Sequence, residues 1–72
     1  MSGWCIKTAT PDIPGEPMVQ LFVVNDSDME NALRIVADTV DKNVDVIVAG
    51  PVSARSIEIF GIAPGKMRNV TT

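Results

Sequence analysis

The stretch Gly50-Pro51-Val52-Ser53-Ala54-Arg55-Ser56 holds the best-grouped polar chemistry in the chain. It joins an apolar run to a helical pattern, so its free N–H groups, two hydroxyls and one guanidinium could hold a phosphate or carboxylate. Gly50, Ser53, Arg55 and Ser56 are the candidate ligand-binding residues. The pattern is sparse. It has one glycine where nucleotide loops carry several, Pro51 removes a donor, and neither the dinucleotide fingerprint nor the Walker A pattern occurs. The competing reading is structural, with Ser53 as an ordinary N-cap and Arg55 pointing to solvent.

Cys5 could act as a nucleophile only with a base and a lowered pKa. The chain contains no histidine, so a small packed hydrophobe is the better reading of this thiol. Asp26, Asp28 and Glu30 could suggest a carboxylate pair or a calcium loop. A calcium loop needs ligands at five or six set positions around a glycine, and Asn31 to Arg34 does not continue one. A capping box from Ser27 to Glu30 accounts for the same residues. One thiol and no histidine also argue against structural zinc. We expect no catalytic constellation, no cofactor and no metal.

With 72 residues the chain has room for a single domain, residues 1–72. At 46% hydrophobic and 21% charged residues it is globular, and with Trp4, Phe22 and Phe60 as its only aromatics its core must be aliphatic. Domains this short bury little of their surface and tend to need a staple. One cysteine cannot form an internal disulfide, so oligomerisation is the remaining route. The net charge of −3 supplies no positive footprint, which argues against nucleic acid and anionic membrane surfaces. No apolar run spans a bilayer, and no basic segment precedes an apolar one at the N-terminus. With a single thiol, a cytoplasmic location is expected.

The elements follow from periodicity. Residues 3–9 alternate as a strand, and 10–17 form a proline-rich loop with Pro14-Gly15 suited to a type II turn. Residues 18–24 read as a strand apolar on both faces. A helix over 27–42 starts at Ser27 and carries the stripe Met29, Ala32, Leu33, Val36, Ala37 and Val40, with Lys42 in its last turn and Asn43 as an αL residue after it. Residues 44–49 make a buried strand, 52–60 a second helix with Pro51 at its start, and 66–71 a polar edge strand. Gly61 and Ile62 suit a Schellman ending. Strand, helix and strand in about 30 residues imply a βαβ crossover. The expected fold class is α/β, with α+β as the alternative: a small two-layer sandwich of order ββαβαβ, with about four strands in a mostly parallel sheet and two helices.

Two helices cannot cover both faces of such a sheet. An uncovered face predicts a homo-oligomer, most simply a dimer, with Trp4, Val19, Leu21 and Val23 as interface candidates. Three functions compete: a self-associating protein-interaction or regulatory module without catalysis, a sensor of a small anionic metabolite at Gly50–Ser56, and a non-catalytic subunit of a larger enzyme. Contact with another protein fits the first.

Overall fold

The computed structural model describes residues 3–10, 18–40 and 42–71. Six elements follow one another: β1 (Gly3–Thr10), β2 (Met18–Val24), α1 (Met29–Thr39), β3 (Asp45–Val52), α2 (Ala54–Phe60) and β4 (Met67–Asn69). The strands form one sheet in the order β3-β1-β2-β4, and every neighbouring pair is antiparallel. This corrects the mostly parallel α/β expectation. The fold is α+β.

The correction has a physical cause. β2 and β3 do run the same way, because each is antiparallel to β1, but β1 lies between them. The crossover through α1 therefore spans an intervening strand. β1 takes the centre because both its faces are needed: Ile6 is fully buried on one, and Gly3 on the other is closed over by Ile57. β3 takes the edge, where Pro51 removes no ladder hydrogen bond. Pro51 and Val52 thus belong to the strand and not to the second helix, which starts at Ala54.

α1 packs over β1, β2 and β3 on the first face. Its buried residues Ala32 and Val36 meet Ile6, Phe22 and Val24, with Leu33, Ile35, Val40, Val46 and Val48 around them. Ile35 joins this face, and Ala37 is exposed, because the stripe centres on Ala32 and Val36. The N-cap is Asp28, one residue later than Ser27. Its carboxylate accepts from the Glu30 N–H at 3.0 Å, while the Asp26 carboxylate accepts from the Asp28 N–H at 2.8 Å and from Asn31 Nδ2. The Asp26 turn holds residues 26–28 out of the helix, so a Ser27 cap is displaced. The helix ends early, with Val40 extended and its N–H on the Val36 carbonyl. Lys42 lies beyond the last turn, and Asn43 has no positive φ. The Pro14-Gly15 turn lies outside the described residues.

α2 serves the other face. Ile57 is buried with Val23 and Ile62, and Val52, Phe60 and Val70 pack around them. Gly61, with φ 68°, closes the helix as a Schellman motif: its N–H reaches the Glu58 carbonyl at 3.1 Å, and the Ile62 N–H reaches the Ile57 carbonyl at 3.2 Å. A turn at Ala63–Lys66 follows, with the Lys66 N–H on the Ala63 carbonyl at 3.0 Å and Gly65 at φ 75°. Asn25 holds this loop at three points. Its Nδ2 donates to the Ile62 carbonyl at 2.8 Å, and its own N–H and carbonyl pair with Lys66 and Gly65 at 2.9 Å each.

A β-bulge lets β3 serve both faces. The register against β1 slips between Ile6, opposite Val48, and Cys5, opposite Gly50. A one-residue slip turns the following side chains over. Val46 and Val48 therefore lie under α1, whereas Val52 packs with Ile57.

Candidate functional site

The second face of the sheet divides into two halves. Strand alternation places Cys5, Lys7 and Ala9 of β1 there, with Val19, Leu21 and Val23 of β2 and Asp45 and Ile47 of β3. The register arranges them in rows: Gly50, Cys5 and Val23; Ile47, Lys7 and Leu21; Asp45, Ala9 and Val19. α2 covers Gly3 and Val52, at the end of the face beyond these rows, and Val23 of the first row, while the space above Gly50 stays open. Seven residues make a helix only about 10 Å long, so it cannot reach the other two.

Those two rows are bare. Ile47 is 52% exposed and Val19 is 42% exposed, while Leu21 and Ala9 are half-buried. Lys7 stands exposed between Leu21 and Ile47, and Asp45 is exposed at the corner. Neither charge has a hydrogen bond or ion pair among the described residues. The other large hydrophobic side chains exposed among the described residues, Met29 and Ile59, lie in α1 and α2.

The structure separates the four residues first considered as an interface. Val19 and Leu21 lie in the bare rows. Val23 is buried beneath Ile57. Trp4 packs at the border of the α1 core, where its indole N–H donates to the Ser27 carbonyl at 3.0 Å. Lys7, Ala9, Asp45 and Ile47 were missed. The alternation of β1 pointed to Lys7 and Ala9, but Asp45 and Ile47 could be placed only once β3 was known to pair with β1.

The Gly50–Ser56 segment does not converge on a ligand. Gly50 lies at the bulge, in the strand. Ser53 caps α2, its Oγ accepting from the Ser56 N–H at 3.2 Å and donating to Ser56 Oγ at 3.1 Å. Arg55 is exposed. The helix N-terminus thus uses its hydroxyls on itself.

Cys5 is half-buried between Gly50 and Val23. Burial pushes its thiol above the usual value, which favours the neutral form. Asp26 and Asp28 are engaged in capping, and no group of three metal-ligating side chains occurs among the described residues. No cavity opens among the described residues, and no helix there is long and apolar enough to cross a membrane. Comparison with protein-family models, with curated proteins and with solved structures finds no match to this chain.

Proposed function

We propose that the chain is a self-associating interaction module that works without chemistry of its own, using the bare half of its second face as the contact surface. The observation that carries this reading is the pair of exposed side chains Val19 and Ile47 on a sheet face that α2 covers only at its other end. Sheet faces of this kind pack on one another in pairs.

Face-to-face contact is favoured over edge pairing. The free edge of β3 carries a bulge, Pro51 and Asp45, all devices that discourage strand addition. At about 4.8 Å between strands and about 6.8 Å between residues on one face, the bare rows offer on the order of 200 Å² per copy. Two copies would bury about 400 Å², well below a stable interface. The burial gain of about 25 cal/mol per Å² is then largely offset by the cost of association. The module is a weak, concentration-dependent dimer with a Kd on the order of 100 µM. A second protein could compete for the same face. The single half-buried thiol suits the cytoplasm.

Sedimentation equilibrium from about 10 µM to about 1 mM tests the reading. The mass should rise toward two chains, and Ile47→Asp should hold it at one. A wild-type mass of one chain throughout, or an Ile47→Asp variant that associates like wild type, would remove the support for it.

A further inference from the structure

We infer that the occupant of the bare half-face is a second copy of this chain, held in one orientation by reciprocal pairs of Lys7 with the partner's Asp45. This rests on the self-association reading and adds its register. On the second face, Ile47 and Val19 lie at opposite corners of the bare rows. The diagonal between them leaves Lys7 and Leu21 on one side and Asp45 and Ala9 on the other. A twofold axis along that diagonal, in the plane of the contact, exchanges the two sides. It sets Lys7 over the partner's Asp45 and Leu21 over the partner's Ala9, while Ile47 and Val19 stay near the axis and meet their own copies.

Several observations converge on this arrangement. Each copy carries one positive and one negative group on the patch, and neither has a hydrogen bond or ion pair among the described residues. A twofold contact must be self-complementary, and one charge of each sign on opposite sides of the axis meets that condition. Other orientations bring like charges together or bury a charge without a partner, which costs more than the small apolar area returns. The sheets cross steeply in this pairing, as in orthogonal sheet packing. The long stem of Lys7 spans the gap between sheets while covering Leu21 and Ile47.

Charge reversal tests the inference independently of the dimer itself. The chain carries net charge −3, so long-range repulsion alone predicts that Asp45→Lys tightens a dimer. The reciprocal pairing predicts the opposite. Lys7→Glu and Asp45→Lys should each raise the Kd about tenfold at low salt, since two pairs become repulsive at once. The double variant, with wild-type net charge, should return to within about threefold of wild type. Circular dichroism checks that each variant is folded, and the neutral Lys7→Met and Asp45→Asn serve if a reversal does not fold, each weakening the dimer about threefold. A tighter dimer for Asp45→Lys, or a double variant no better than the singles, overturns the register while leaving self-association standing. A wild-type chain that stays single to about 1 mM overturns both.

Discussion

Replacing Gly3 with alanine should strain the end of the sheet that α2 covers. A Cβ at Gly3 would overlap the Val24 carbonyl oxygen and lie 2.5 Å from Ile57 Cδ1. The isoleucine end can turn aside, but the carbonyl belongs to the neighbouring strand and cannot. Overpacking of this kind costs about 1–3 kcal/mol, and a backbone obstacle puts it near the top of that range. Alanine also stiffens the unfolded chain, which returns somewhat under 1 kcal/mol. The net loss is about 2 kcal/mol, a fall in Tm of roughly 8–16 °C for a domain this size. Gly50→Ala is the matched control, since nothing lies within 4 Å of its Cβ position and its φ is not positive. It should leave stability unchanged or raise it by up to about 1 kcal/mol. Thermal and urea unfolding followed by circular dichroism measure both. Equal stability of the two variants would show that the Val24 carbonyl does not approach Gly3 as closely as the structure places it.

Two other outcomes follow from the same structure. Asn25→Ala removes the bond from Nδ2 to the part-buried Ile62 carbonyl and should cost about 1–2 kcal/mol in urea unfolding; no measurable loss would mean that the 61–66 loop is held by backbone bonds alone. Burial raises the Cys5 thiol in the folded chain, so the unfolded chain loses this proton first as pH rises. The contribution is therefore complete below the ordinary thiol pKa of about 8.5 and is lost above it. Wild-type Tm should fall between about pH 8 and pH 10, and the fall should shrink in Cys5→Ser. An identical pH profile in the two would refute the assignment.

Local structure was legible in the residues, and pairing was not. The Gly61-Ile62 ending of α2 and the turn around Pro64-Gly65 follow from backbone chemistry that proline and glycine impose in any context. The cap of α1 moved by one residue because the Asp28 carboxylate takes the Glu30 N–H that a Ser27 cap would use, while Asp26 holds the Asp28 N–H. The sheet order needed information that periodicity does not hold. A helix between two like-directed strands says that they are parallel, not that they touch. Pro51 carried the missing signal. Read as an edge-strand residue and not as a helix start, it would have put β3 at the border and β1 inside. The bulge beside Cys5 then decided which of the β3 side chains reach each face.

Amide chemical shifts recorded over a dilution series test the central claim most directly. Between about 1 mM and about 50 µM the resonances of Lys7, Ala9, Val19, Leu21 and Ile47 should move together along one binding curve, with α1 quiet. Shifts that gather instead around Met29 or Ile59, or none at all over that range, would contradict a contact surface on the bare half of the sheet.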